Sequence, residues 1–431
     1  QINPHFCEPI SIMPTNKKAA ITFIFFTLLI DVMGFGLIIP VMADLIAQLK
    51  HIPMNIASNY GAILLSVFAI TQFLFSPVIG NLSDRFGRRP VLLCSLLGFG
   101  VDYIVLAIAP AYGWLFIGRV VAGITGASFT TATAYIADVS TNETDRAKNF
   151  GLIGAAFGIG FVLGPALGGF LAHWGIRAPF YAAAALCLLN CLYGYFFLPE
   201  SLDAQHRRPF EWKRANPFGS LRFLTRHPEI GGLAIGFFLI YLGAQSIQGN
   251  WNFFTIYRFG WSEKMIGISL ALVGVLVGGV QAGLTRVINP KIGNENSIYL
   301  GLSLYTFGLL LFAFANQSWM MFAFLVPYCL GGICGPSLQS VISGHVPVNQ
   351  QGELQGALTS LMSLTTIIGP PLMSLTFSYF TTDKAPFYFP GMQFLIGAVC
   401  MLLSVIIIYK VLNKEKKEHP ELRTVIDNEN V

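Results

Sequence analysis

Charge is scarce in this chain. Asp, Glu, Lys and Arg make up 11% of its 431 residues, about half the share of a soluble globular domain, so a water-covered exterior is excluded. Histidine is scarce at depth: all seven fall in loops, tails or the ends of apolar runs. With no serine or cysteine beside a plausible base either, a nucleophilic or metal-dependent enzyme is not expected. Six of the seven cysteines, Cys94, Cys187, Cys191, Cys329, Cys334 and Cys400, lie within apolar runs and Cys7 stands alone, which excludes a disulfide framework. The first 18 residues lack an apolar core followed by a cleavage site, so no signal peptide is expected, and Met13 is a candidate start.

What the chain has instead is apolar length. Hydrophobic residues make up 54%, and they recur in runs of about 20, the length that crosses a bilayer core as helix. These runs predict twelve spans, near 19–47, 58–80, 90–109, 113–138, 149–172, 179–198, 230–256, 264–287, 297–315, 318–343, 353–380 and 388–411. The expected fold is an all-α membrane protein of two six-helix bundles, 19–198 and 230–412. The basic linker 199–229 joins them, with tails at 1–18 and 413–431. In this reading 20 of the 26 Lys and Arg fall on the side of the linker, five on the other side, and Arg119 inside a span. That bias makes the linker side cytoplasmic and places both termini there.

A weak internal repeat supports the division. Arg85-Phe86-Gly87 and Lys291-Ile292-Gly293 stand 206 positions apart, each after the second helix of its half. Two parallel halves with a substrate held between them at mid-membrane is the design of alternating-access transporters.

Three charges fall at depth. Asp31 is about 12 residues, or roughly 18 Å, into the first span, Asp102 is similarly placed in the third, and Arg119 is about two turns into the fourth. A carboxylate there must be paired, hydrated or protonated. Both aspartates are thus candidate proton carriers, Arg119 is the candidate positive partner, and a fixed structural ion pair is the alternative. Close to Asp31, Gly34, Gly36 and Pro40 loosen the first span. In the fifth span Ala156, Gly160, Gly164 and Gly168 recur every four residues, which lays a smooth stripe along one face. Gly164-Pro165 and Gly169 complete a G-P-x-x-G-G run there, and the proline should kink the helix.

The stretch Gly80 to Pro90, G-N-L-S-D-R-F-G-R-R-P, separates the second and third spans with Asp84 and three arginines, Arg85, Arg88 and Arg89. It is expected as a tight polar loop around Gly80 and Gly87. Asp84 can pair with a neighbouring arginine, and Asp138, at the same end of the fourth span, is a second partner for them. This loop resembles the signature between the second and third helices of the major facilitator superfamily. The G-P-x-x-G-G run is similar to the motif of its proton-driven exporters. Together with G-R-V-V-A-G-I-T-G-A at 118–127, Y-R-F-G-W at 257–261, Gln281-Ala282 and Q-Q-G-E-L-Q-G at 350–356, the chain from about Ala20 to Leu412 resembles the tetracycline-proton antiporter group.

The resemblance implies a proton-coupled exporter of a small amphipathic or hydrophobic compound in a bacterial inner membrane. Asp31, Asp102 and Arg119 would be the first-half cavity charges, and Asp84 and Asp138 the gate pair. Asp84 would meet the start of span eleven, near Gly352, in the outward-open state. An importer or facilitator of a metabolite is the alternative on the same fold. The group's histidine in span eight and carboxylate in span nine are missing: those positions lie close to Val277 and Tyr305, so proton handling would rest on the first half. Substrate contacts are sought among the deep amides Gln72, Asn190, Gln245, Gln248, Gln281 and Gln339, with Asn250, Trp251 and Asn252 beside them; hydrogen bonding between helices is the competing use. The expected partners are a small molecule, protons and the lipid bilayer, with no nucleic acid, metal or cofactor, and a monomeric state.

Overall fold

The computed structural model describes residues 17–126, 128–139, 143–203, 205, 207, 209–210, 219, 223–224, 230–346 and 350–418. Among them all regular structure is helical. Eleven helical stretches are long and apolar enough to cross a membrane. The remaining expected span, the eighth, begins as a helix of 17 residues, Glu263–Gly279. It continues through a π-turn at Val280–Leu284 and runs on to a break at Gly293.

The first half comprises α1 (Lys17–Lys50), α2 (Met54–Phe86), α3 (Arg88–Ile108), α4 (Tyr112–Thr125), α5 (Ser128–Val139), α6 (Glu143–Leu171) and α7 (Ala178–Phe197). The second comprises α8 (Gly231–Gln248), α9 (Trp251–Phe259), α10 (Glu263–Gly279), α11 (Thr285–Ala313), α12 (Ser318–Leu330), α13 (Cys334–Gly344), α14 (Gln351–Phe380) and α15 (Met392–Glu418). Spans four, seven and ten are each interrupted: near Gly126, at Gly249-Asn250, and by a 3₁₀ turn at Gly331–Ile333. Glycine at each break removes the side chain that would otherwise favour a continuous helix.

The repeat read from the sequence has a backbone counterpart. Gly87 has φ 105° and ψ 162°, and Gly293 has φ 78° and ψ 163°. Residues with a Cβ rarely adopt that conformation, so the same reversal joins spans two to three and eight to nine. The loop expected over Gly80 to Pro90 is shorter than expected. α2 runs to Phe86 and α3 starts at Arg88, leaving Gly87 as the turn, with its N–H donating to the Ser83 carbonyl at 3.1 Å. Polar residues suffice to carry a helix out of the apolar layer, so polarity alone overstated the turn. α6 likewise runs unbroken through Pro165. At the C-terminal end α15 continues past Leu412 to Glu418, into the segment expected as tail; most of 199–229, residues 1–16 and 419–431 lie outside the described residues.

The halves meet through α2 on α14 and α6 on α10. α2 and α14 are joined by a polar ladder: Asn55 Nδ2 donates to Thr381 Oγ1 at 3.1 Å, Asn59 Nδ2 to Ser378 Oγ at 3.0 Å, and Ser374 Oγ to Ser58 Oγ at 2.9 Å. Ser66 Oγ donates to the Ile367 carbonyl at 2.8 Å. All four lie toward the Met54 end of α2, away from Gly87. On α6 and α10 the close approaches are Gly274 on Val162, Gly267 on the Pro165 carbonyl, and Gly169 on the Glu263 backbone. At the other end of the same helices Gly80, Gly154, Gly158, Gly278, Gly279 and Gly283 have nothing within 4 Å of a built Cβ. Among the described residues, the hydrogen-bonded and close-packed contacts between these helices therefore lie on the side away from the linker.

Candidate functional site

Asp102 and Arg119 come together. Asp102 is fully buried on α3 and Arg119 is 5% exposed on α4; Arg119 Nη2 donates to Asp102 Oδ2 in an ion pair. Gly118 makes the approach possible, because a Cβ there would lie 2.6 Å from Asp102 Oδ1. The Arg119 guanidinium also stands 5.8 Å from the Phe68 ring of α2. Asp31 is half-buried on α1. It lies within electrostatic reach of Tyr103 on α3 and Cys187 on α7, and both of these groups also sense Asp102. Ionisable side chains from four helices thus lie within electrostatic reach of one another.

The glycine stripe explains how α1 is held there. A Cβ on Gly160 would meet Val32 at 2.9 Å, and one on Gly164 would meet the Met33 carbonyl at 2.8 Å and Gly36 Cα at 2.9 Å; Gly168 abuts the Leu37 backbone. α1 and α6 therefore pack backbone to backbone across the four-residue repeat. Gly169 faces α10 instead.

A cavity lies between the halves. Phe35, Met42, Leu65 and Phe253 give it apolar walls, and Arg119, Gln248 and Asn252 supply polar groups. Asn252 also donates to the Ile39 carbonyl of α1 at 3.0 Å, a bond between the halves. The other amides divide by environment. Gln72 donates to the Gly126 carbonyl at 3.0 Å, Asn190 to Thr27 Oγ1 at 3.1 Å and Gln245 to Thr366 Oγ1 at 3.4 Å, so these three tie helices together. Asn250 donates to Gln393 Oε1 at 3.4 Å and Trp251 Nε1 to Ser269 Oγ at 2.9 Å inside the second half. Gln339 is exposed and donates to Gln355 Oε1 at 3.0 Å, and Gln281 is exposed on the π-turn of span eight.

At the linker side Arg88 is the hub. Its Nη1 pairs with Asp84 at 2.6 Å and donates to Ser83 Oγ at 2.6 Å, while its Nε pairs with Asp138 at 3.1 Å. Arg89 Nη2 donates to the Tyr195 carbonyl at 2.6 Å, and Arg85 lies 5.1 Å from the Phe86 ring. Sequence reasoning missed Glu200. Its carboxylate accepts the backbone N–H groups of Arg88 at 2.8 Å and Arg89 at 3.2 Å. It also accepts those of Ser201 and Leu202. A carboxylate on the first N–H groups of α3 satisfies donors with no helical partner and opposes the positive helix end. The only hint was Pro199-Glu200 directly after an apolar span. The motif binds α2, α3, α5 and the end of α7 to one another.

Comparison with known proteins gives this geometry a family. The Major Facilitator Superfamily model matches residues 24–333 and 291–428. The chain belongs to the Major Facilitator Superfamily. Within the superfamily it is similar to the class C tetracycline resistance protein of Escherichia coli, 41% identical over 390 residues, 90% of this chain and 96% of that one. It is also similar to the class G tetracycline resistance protein of Vibrio anguillarum, 40% identical over 87% of this chain and 93% of that one. Its fold matches the human organic anion transporter MFSD10 (TETRAN) with a TM-score of 0.67, at 24% identity over 91% of this chain and 99% of that one. As a superfamily member the chain is a multi-pass membrane transporter and not an enzyme, and the resemblance read from its motifs agrees with these relatives.

Proposed function

We propose that this protein exports a small amphipathic compound, a tetracycline-like drug or another xenobiotic, in exchange for protons. The observation that carries the reading is the group of Asp31, Asp102 and Arg119 at mid-membrane, with Arg119 lining the cavity between the halves. A lone carboxylate in hydrocarbon is costly, and an ion pair there rarely improves on apolar packing, so its upkeep points to use. Relatives named for tetracycline resistance support the substrate class. Binding of a proton to the group and of substrate to the cavity compete through Arg119, whose freedom depends on the charge of Asp102. Proton entry from outside then drives substrate release.

In this reading residues 19–198 and 230–412 rock about the cavity, and the linker side, with both termini, is cytoplasmic, as the lysine and arginine bias supports. The membrane is a bacterial inner membrane and the working unit a monomer. Gly80, Asp84, Arg85, Gly87, Arg88, Arg89 and Asp138 serve as the cytoplasmic gate. Gly160, Gly164, Pro165, Gly168 and Gly169 form the smooth bearing. Gln248 and Asn252 are the favoured substrate contacts, since both line the cavity. The test is accumulation of a fluorescent tetracycline or lipophilic dye in cells expressing Asp102→Asn or Asp31→Asn. Each variant should raise accumulation to the level of empty-vector cells; wild-type efflux in both would remove the acids from the mechanism.

A further inference from the structure

On the side away from the linker three segments of the second half converge: the last turn of α9, the end of α11 and the loop that leads into α15. Gly391 of the loop abuts the Ala313 backbone at the end of α11, where any side chain would collide. The Phe314 and Phe389 rings meet across this junction with centroids 5.5 Å apart. Together the segments form a pocket. Phe254, Ala313 and Ala315 line it from within and are buried, while Arg258, Asn316 and Tyr388 stand at its mouth and are exposed. No carboxylate lines it among the described residues. Arg258 enters none of their ion pairs. Other cations on this side are engaged: Arg177 donates to the Ala107 and Ala109 carbonyls at 2.9 and 2.8 Å, and Lys50 stands 4.5 Å from the centre of the Tyr60 ring. An anion with an apolar body would therefore find a free guanidinium, an amide and a phenol over aromatic walls.

We propose that this pocket holds the phosphate of an anionic phospholipid from the leaflet on the side away from the linker. Two observations select a lipid over a transported molecule. All three segments belong to one half, so the pocket keeps its walls when the halves rock, whereas a transported molecule must be released by the site that holds it. Phe314 and Tyr388, and Trp319 at the start of α12, are 66%, 56% and 63% exposed. Exposed aromatics at span ends form the belt that sits at headgroup level. The Arg258 guanidinium pairs with the phosphate, Asn316 and Tyr388 donate to its oxygens, and the Phe314 and Phe389 rings lie along the start of an acyl chain. The inference depends neither on proton coupling nor on which compound is exported.

The experiment uses the purified full chain, freed of lipid in detergent and mixed with phosphatidylglycerol that carries a photoactivatable group on its headgroup. Light should attach the lipid to peptides that contain Ala313 to Asn316 or Tyr388 to Gly391. Arg258→Gln should lower that labelling about fivefold, the effect of one arginine on an anionic lipid. Arg258→Lys keeps the charge and should keep most of the label. Lys384→Gln removes an exposed cation on the same side and should leave the labelling unchanged. The thermal unfolding midpoint without lipid shows that each variant is folded; if Arg258→Gln is not, Asn316→Ala takes its place, with about a twofold loss expected for one rim hydrogen bond. Equal labelling of these peptides in the wild type and in the folded variant would overturn the proposal, as would labelling confined to other parts of the chain. Competition decides the ligand. Unlabelled phosphatidylglycerol should remove the label. If inorganic phosphate does so equally well, the pocket takes a free anion; if a tetracycline does, it belongs to the transported molecule; if phosphatidylcholine does, the lipid's net charge plays no part. Each of these three results contradicts the proposal.

Discussion

Asn59 of α2 donates a hydrogen bond of 3.0 Å to Ser378 of α14, and so joins the two halves on the side away from the linker. A bundle that rocks must break this bond and the rest of the ladder in every cycle. Neutral hydroxyl and amide pairs suit that task, since each contributes only about 1 kcal/mol. The variant Asn59→Cys with Ser378→Cys should form a disulfide under mild oxidation and lose transport to background, with recovery on reduction. Cross-linking with transport intact would show that the ladder does not open.

The crossing of Gly36 and Gly164 leaves no room for a side chain, because the neighbours are backbone atoms that cannot rotate away. Gly164→Ala should therefore destabilise the protein by about 1–3 kcal/mol, seen as a lower midpoint of thermal unfolding in detergent. Gly158, on the same helix with nothing within 4 Å, is the control, and Gly158→Ala should leave the midpoint unchanged.

Removal of the Glu200 carboxylate strips the first N–H groups of α3 of their acceptor. Glu200→Ala should cost about 0.5–2 kcal/mol, the range of a lost helix cap. It should also raise hydrogen exchange at Arg88 and Arg89 relative to the rest of α3. Gly87→Ala should cost about as much through its backbone conformation alone, since φ of 105° is strained for any residue with a Cβ.

Much of this was legible in the sequence. Twelve apolar runs announced the spans, and the pairing of Asp102 with Arg119 was expected before any geometry because charges in hydrocarbon are rare. The repeated glycine at 87 and 293 was visible because its backbone conformation admits few other residues. Glu200 was hidden because its partners lie on α3, more than 100 positions earlier in the chain. The ladder of Asn55, Ser58, Asn59, Ser374, Ser378 and Thr381 was missed for another reason. Small polar residues are common in membrane helices, and only the meeting of α2 with α14 reveals that they pair.

The deep amides separate into those used between helices and those that face the cavity. Gln248→Ala should raise the half-saturating substrate concentration about fivefold, the loss of one hydrogen bond of about 1 kcal/mol. Gln245→Ala and Asn190→Ala should act on thermal stability and leave half-saturation nearly unchanged. Binding measured by scintillation proximity on purified protein separates the two effects.

The most direct measurement is lumenal pH in proteoliposomes as substrate enters against an acid interior. Proton exchange through the Asp31, Asp102 and Arg119 group predicts that substrate entry alkalinises the lumen in the wild type, and that Asp31→Asn and Asp102→Asn abolish the change. Alkalinisation of equal size in the variant carrying both substitutions, or substrate entry in the wild type with no change in pH, would contradict it.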